Sequence, residues 1–250
     1  TDNPNLKVLD YQAKVVNVAM RARRYLLGDD MGLGKSIEAM GVICKAFEDG
    51  YKRAVIFCPS RIKYQWKSEI LRFTKIPEDD ISVIDLHTDL PCPLGKTDRH
   101  FARRDPCRNC EREKKCKNEK HNTSCRVKRQ LNEGRIVIMN YDLIDRTKEE
   151  ILDAGFDIVI FDEATRFKNW QAAVTKAVMK IGKELPQDTI ILPMSGTFIE
   201  NKIEEIYPPL CLVNKGILGE FYNFKNHYLI CDFWGKVTGI RNEKRLKKLI

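Results

Sequence analysis

The chain has 250 residues, 43% of them apolar, enough for one large packed domain or a domain carrying an insertion. No apolar run approaches the roughly 18 residues of a membrane span, and Thr1-Asp2-Asn3-Pro4 lacks the basic-then-apolar layout of a signal peptide, so the expectation is an intracellular chain without membrane contact. The net charge of +9 is uneven: between Cys92 and Arg135 stand 14 Lys and Arg against 6 Asp and Glu, or +8 in that stretch alone.

In chain order, short β-rich apolar runs alternate with helical spacing. Strands are predicted at Tyr25–Leu27, Ala54–Cys58, Ile81–Asp85, Ile136–Met139, Asp157–Phe161 and Thr189–Leu192. Helices are predicted at Ser36–Glu48, Ile62–Phe73, Tyr141–Leu152 and Ala172–Ile181. Parallel strands need such crossovers, so the fold class is α/β, a parallel sheet with helices on both faces. Residues 87–134 break the rhythm, being poor in aliphatic residues and rich in charge and cysteine. They read as an insertion that divides the main unit into 1–86 and 135–250.

Asp29-Asp30-Met31-Gly32-Leu33-Gly34-Lys35-Ser36 follows the first strand and runs into a helix. Gly32 and Gly34 let the backbone curl so that its N–H groups point at phosphate oxygens, and the helix N-terminus adds its dipole. Lys35 would reach the β- and γ-phosphates of ATP, and the Ser36 hydroxyl would sit on Mg²⁺. The strict phosphate-loop pattern wants Gly where this chain has Asp29. Farther on, the strand before Asp162-Glu163-Ala164-Thr165 projects two carboxylates from the end of the sheet at which open α/β sheets bind ligands. Asp162 suits the Mg²⁺ shell, while Glu163 is placed to orient or deprotonate an attacking water.

Five of the nine cysteines crowd one window, and Cys107, Cys110, Cys116 and Cys125 have the paired spacing of a four-thiolate metal site, with Cys92 as an alternate ligand. Zn²⁺ is the first choice, a 4Fe-4S cluster the rival, and free cysteines in a loop the bland alternative. Metal binding would supply folding energy that the core-poor stretch lacks, and its basic residues would suit phosphates rather than base edges. The dispersed Cys44, Cys58, Cys211 and Cys231 read as core or inert thiols.

These motifs together resemble those of the Swi/Snf-type, superfamily-two ATP-dependent DNA translocases and helicases. Asp29 to Ser36 is similar to the family's D-E-M-G-L-G-K-T loop, and Asp162 to Asn169 to D-E-A-H-R-I-K-N. Ser195-Gly196-Thr197-Phe198-Ile199-Glu200-Asn201 is similar to T-G-T-P-L-Q-N, and Val8 to Gln12 to L-R-P-Y-Q. Cys58-Pro59-Ser60, Gln65-Trp66-Lys67 and Met139-Asn140-Tyr141 fit as well; in the family they flank the surface that holds the DNA backbone. By itself, Trp66 reads as a helix residue packed on the sheet.

The resemblance implies the first RecA-like lobe of such a motor, with Gln12 reading the adenine edge and Ser195, Gly196 and Thr197 relaying the phosphate state. It also implies double-stranded DNA as partner and a second RecA-like lobe, whose motifs are missing from these residues and which would come from the same or another chain. Thr165 stands where the family has a histidine that couples hydrolysis to DNA contacts, and Phe198 where it has proline. Two other readings stay open: a strand-separating iron-sulfur helicase, and a non-hydrolysing module that uses ATP as a switch.

Overall fold

The structure is a computed structural model that describes residues 8–85, 127–214, 216–234 and 237–247. Its central sheet is parallel, in the order β2-β3-β1-β4-β5, with β1 at Ala54–Cys58, β2 at Ile81–Val83, β3 at Ile136–Asn140, β4 at Ile158–Asp162 and β5 at Ile190–Met194. β1, β4 and β5 are buried along their whole length, the consequence of near-continuous apolar runs covered on both faces.

Alternation along each strand sorts the side chains between two layers. Ile56, Ile138, Ile160 and Leu192 belong to one core, under helices α1 (Asp10–Ala22), α2 (Lys35–Glu48) and α3 (Lys63–Phe73). Val55, Phe57, Val137, Val159, Phe161 and Ile191 belong to the other, under α4 (Ile144–Asp153) and α5 (Ala173–Glu184). In that second core the rings of Phe57 and Phe161 stack at 5.1 Å, and Phe167 meets Phe161 edge-on at 5.3 Å.

A third cluster lies beyond β5. It is built by α6 (Tyr207–Val213), α7 (Phe221–Tyr228), the antiparallel pair β6 (Leu229–Cys231) and β7 (Val237–Ile240), and α8 (Glu243–Lys247). Trp170, Tyr207, Phe221 and Phe224 interlock there at ring separations of 4.9 to 5.4 Å. Phe198 packs against both this cluster and the sheet core beneath α4 and α5, so it joins the two bodies.

Three sequence expectations are modified. The strand expected at Tyr25–Leu27 is reduced to two isolated parallel bridges, Arg24 to Ile191 and Leu27 to Met194. It still hydrogen-bonds as an edge: Tyr25 N–H donates to Ile191 O at 3.1 Å and Leu27 N–H to Pro193 O at 2.9 Å. The helix expected from Tyr141 begins instead as a tight turn over Tyr141–Leu143 and continues from Ile144. Helical residues 127–131, which the sequence reading places within the insertion at 87–134, pack against the core of the main unit.

Val127 and Leu131 are fully buried in the core beneath α4 and α5. Gln130 donates from Nε2 to Asp85 O at 3.1 Å, and the Arg53 guanidinium donates to the Leu131 carbonyl while lying 4.8 Å from the Phe156 ring centre. At Gly134 φ is +73°, and a Cβ there would come within 2.8 Å of Asp80 O, so the entry into β3 requires glycine. Leu131→Ala is therefore expected to destabilise the whole sheet by about 2 to 5 kcal/mol. Chemical denaturation followed by far-ultraviolet circular dichroism checks this; an unchanged midpoint for the sheet would place Leu131 outside its core.

Candidate nucleotide site

The phosphate loop starts from a fixed point. Leu27 is 1% exposed, its N–H is held by Pro193 O, and its own carbonyl accepts from Ser195 N–H at 3.1 Å. The chain then leaves the sheet and turns through Gly32 and Gly34, at φ +86° and +88°, before entering α2. Gly34 serves a second purpose, since a Cβ there would fall 2.6 Å from Gln12 Nε2. The Lys35 ammonium donates to the carbonyls of Asp29 at 2.7 Å and Asp30 at 3.0 Å, which places a positive charge within the loop. The first turn of α2 has N–H groups without helical partners, the chemistry an anionic phosphate uses.

Gln12 is only 4% exposed and braces this loop from α1. Its Oε1 accepts from Leu9 N–H at 3.0 Å and its Nε2 donates to Leu33 O at 3.3 Å. The same carbonyl accepts from the Tyr11 hydroxyl at 2.6 Å. Leu9, Tyr11 and Leu33 remain exposed around it, a rim of apolar surface suited to one face of a flat heterocycle.

Asp162 ends β4 in register with Met194 of β5, which in turn bridges to Leu27. Three adjacent segments thus finish side by side and deliver the acidic pair, the phosphate loop and Ser195 to one edge. Asp162 is 9% exposed. Its Oδ2 accepts from the Trp66 indole N–H at 2.8 Å, and its main-chain carbonyl accepts from the Tyr141 hydroxyl at 2.7 Å. Burial pushes the Asp162 carboxyl up to about 6, against the pull of the Trp66 hydrogen bond. Glu163 is half-buried and left-handed at φ +53°, ψ 59°, a conformation that costs a non-glycine residue about 1 to 3 kcal/mol. That kink ends the strand's alternation, so the two carboxylates need not point to opposite faces.

Ser195, Gly196 and Thr197 close the site. Ser195 Oγ accepts from Thr197 N–H at 3.1 Å, and a Cβ at Gly196 would stand 2.7 Å from Met31 Cγ and 3.5 Å from Lys35 Nζ. The Phe198 ring lies 3.4 Å from where a Cβ of Gly28 would be, which accounts for the residue that replaces proline: it fills the seam between the loop and the third cluster.

Thr165 makes no side-chain hydrogen bond with any described residue. A tie that sequence reasoning missed runs alongside it. Lys168 pairs with Glu200 and, at 3.6 Å, with Glu205, whose Oε2 accepts from the amides of Glu200 at 2.7 Å and Asn201 at 3.1 Å. Burial alone would raise Glu205, but those amides and Lys168 outweigh it and hold the carboxyl below its usual range. The segment after Asp162 is thereby fastened to the segment after Thr197. Only the opposite charges at these positions could have hinted at it.

Glu38 was also missed. It lies in the first turns of α2 and is fully buried beside Asp29, with which it can share a hydrogen bond only when one of the two carboxyls is protonated. Burial first, and then the charge of Asp29, push it up to about 7, with Lys35 opposing. Cys58 and Cys211 are buried, which pushes their thiols up to about 12 and about 11 and disfavours the reactive thiolate. Cys92, Cys107, Cys110, Cys116 and Cys125 lie outside the described residues; among the described ones, no cluster of His, Cys, Asp and Glu could hold a metal ion.

A parallel sheet that brings a glycine-lysine loop, a buried aspartate and a serine-glycine-threonine loop to one edge is the arrangement of a candidate nucleotide-binding lobe. The SNF2-related domain matches residues 11–250, and the chain belongs to that family. It is 25% identical over 226 residues to the putative ATP-dependent helicase/translocase YwqA of Bacillus subtilis, covering 89% of this chain and 20% of that protein. It is 26% identical over 231 residues to the DNA repair and recombination protein RAD54 of Oryza sativa subsp. japonica, covering 88% of this chain and 20% of that one. The chain therefore spans about a fifth of the length of these curated relatives. Its fold is similar to the Sulfolobus solfataricus SWI2/SNF2 ATPase core solved with dsDNA, at TM-score 0.66 and 21% identity over 98% of this chain and 43% of that one. No helix among the described residues is long and apolar enough to cross a membrane.

Glu38 gives the site a pH signature in stability. Its folded-state carboxyl titrates at about 7 against 4.5 for the free group, so folding favours the protonated form. That contribution is present in full below the unfolded value and is lost as the pH rises through about 7. Glu38→Gln keeps the shape without the charge. Its thermal midpoint should gain on that of the parent chain as the pH rises from about 5 to about 8; a difference that does not change with pH would contradict the buried acid.

Proposed function

We propose that this chain is the ATP-binding and ATP-hydrolysing lobe of a DNA-dependent translocase that acts on double-stranded DNA, in remodelling, annealing or repair. The observation that carries the proposal is the close approach of the Gly196 backbone to the loop, where a Cβ would stand 2.7 Å from Met31 Cγ and 3.5 Å from Lys35 Nζ, next to the strand end that bears Asp162. Family membership and the names of the relatives support the DNA-directed part, since one is a helicase/translocase, another a recombination protein, and the SWI2/SNF2 core was solved with dsDNA.

The residues fit Mg·ATP. The left-handed Gly32 and Gly34, the cramped Cβ positions at Gly34 and Gly196, and the buried Asp162 carboxyl are features that a merely structural turn does not require. In this reading the backbone of Asp30, Met31, Gly32, Leu33 and Gly34 and the Lys35 ammonium hold the phosphates, and Gln12 holds the adenine edge beside Tyr11 and Leu33. Ser36 and Asp162 hold Mg²⁺, which when bound neutralises charge on the phosphate oxygens. Glu163 orients the attacking water and takes its proton. Ser195, Gly196 and Thr197 sense the γ-phosphate through Met31 and Lys35, and the Lys168 pair with Glu200 and Glu205 passes the change onward. A second RecA-like lobe supplies the arginine that phosphoryl transfer needs, a contribution of about 10³ to 10⁵ in rate.

For residues 87–126, cysteine spacing supports a metal-folded module on Cys107, Cys110, Cys116 and Cys125, with Cys92 in reserve and Zn²⁺ preferred over a 4Fe-4S cluster. The basic residues around them support phosphate contacts.

Two variants separate binding from chemistry. Lys35→Ala is expected to lose both nucleotide affinity and turnover. Glu163→Gln should keep affinity while DNA-stimulated phosphate release in the complete protein falls at least about 100-fold. Calorimetric titration with Mg·ATP and a phosphate-release assay read the two quantities. A Glu163→Gln protein that turns over normally would rule out Glu163 as the base, and equal affinity in Lys35→Ala would rule out the phosphate loop.

A further inference from the structure

A carboxylate buried as deeply as Asp162 needs a donor to fix its orientation, and the identity of that donor decides whether the charge remains available. A lysine or arginine would neutralise it. The Trp66 indole N–H is a neutral donor, so it holds one oxygen of the carboxylate at 2.8 Å and leaves the negative charge for a cation. Trp66 is 2% exposed and packs in the core beneath α1, α2 and α3 with Ile70, one turn further along α3.

The start of the same helix is fixed independently. The buried Lys63 ammonium donates to Ile84 O at 2.7 Å, and Lys63 and Trp66 stand three residues apart, on one face of α3. Tyr64, on another face, donates to Asp85 Oδ2 at 2.8 Å. The helix that carries the indole is therefore anchored at Ile84 and Asp85, independently of the strand end that carries Asp162. The strand end is itself held by the Tyr141 hydroxyl on the main chain, which does nothing for the carboxylate.

We propose that Trp66 is a positioning residue for the nucleotide site: its indole N–H sets the rotamer of Asp162 so that the carboxylate meets the nucleotide-bound divalent cation, and α3 is thereby coupled to the site. The proposal deepens the nucleotide reading and rests on Asp162 being the carboxylate that faces the cation. It assigns to the Gln65-Trp66-Lys67 segment a role directed inward, at the metal. Movement of α3 changes the donor geometry at Asp162 without any contact between α3 and the nucleotide.

Trp66→Phe keeps an aromatic ring in the core and removes the donor together with part of the indole's volume. Mn²⁺ binding to the chain in the presence of ADP, followed by electron paramagnetic resonance, should weaken about tenfold in Trp66→Phe. Fluorescent ADP bound without divalent metal should keep its affinity. Asp162→Asn should abolish the Mn²⁺ site, and if it does not, the assignment of Asp162 fails before that of Trp66 is tested. Wild-type Mn²⁺ affinity in Trp66→Phe, with Asp162→Asn defective, overturns the positioning role. If Trp66→Phe does not fold, the indole ¹H–¹⁵N resonance of Trp66 in the parent chain decides instead. It should lie downfield, move upfield in Asp162→Asn, and shift on adding Mg·ADP more than those of Trp170 and Trp234. A Trp66 resonance that ignores both changes contradicts the proposal.

Discussion

The register across three neighbouring strand ends is the constraint on which the site depends. Leu27 bridges to Met194, Met194 pairs with Asp162, and each is followed by residues of the proposed nucleotide site: Gly28 to Ser36, Ser195 to Thr197, and Glu163. Side chains alternate along a strand, so a slip of one residue between β4 and β5 would send Phe161 toward α2 and Ile160 toward α5, reversing both cores. The hydrophobic pattern thus enforces the alignment that the site uses. In the proposed site, phosphate contacts would come from backbone and one lysine, and these can be aimed only if the strand ends are level.

Around that frame the site accepts features that a purely structural region would avoid. Glu163 is left-handed without being glycine, Glu38 is buried against the carboxyl of Asp29, and Asp162 is buried next to the strained Glu163. Each of these opposes folding, and each lies within the reach of the loop or the strand end that forms it. The two sheet cores and the aromatic cluster around Tyr207 offset them. Phe198 sits where these bodies meet, against Gly28 on one side and the third cluster on the other. A change in the loop is therefore felt in α6 and α7 by packing, as well as through the pairing of Lys168 with Glu200 and Glu205.

Local pattern made much of this legible. β1 was read to the residue because Ala54–Cys58 is a continuous apolar run between polar flanks, and α2 to within one residue because Gly34 stops it from extending backwards. The positions of Lys35 at a helix start and of Asp162 at a strand end were legible because strand, loop and helix signals surround them. The helix at Asp10–Ala22 was not predicted, although Val15, Val16, Ala19 and Met20 recur at helical spacing and pack into the core beneath α1, α2 and α3. Trp66 was read as packing, which is correct, yet its partner lies 96 residues away and no local pattern reports it. The burial of Glu38 was likewise unreadable, because a glutamate in the first turn of a helix reads as a dipole partner on the surface. Val127 and Leu131 were assigned to an insertion because charge dominates their neighbourhood; the apolar pair at a spacing of four was the signal that they belong to the sheet core.

Hydrogen exchange of the chain with and without a slowly hydrolysed Mg·ATP analogue tests the alignment most directly. The account predicts that protection appears together, at the same nucleotide concentration, in the phosphate loop from Gly28 to Ile37, at Asp162 and Glu163, and from Ser195 to Phe198, and that all three are lost together in Lys35→Ala. Protection confined to the loop, with the ends of β4 and β5 unchanged at saturating nucleotide, would contradict it.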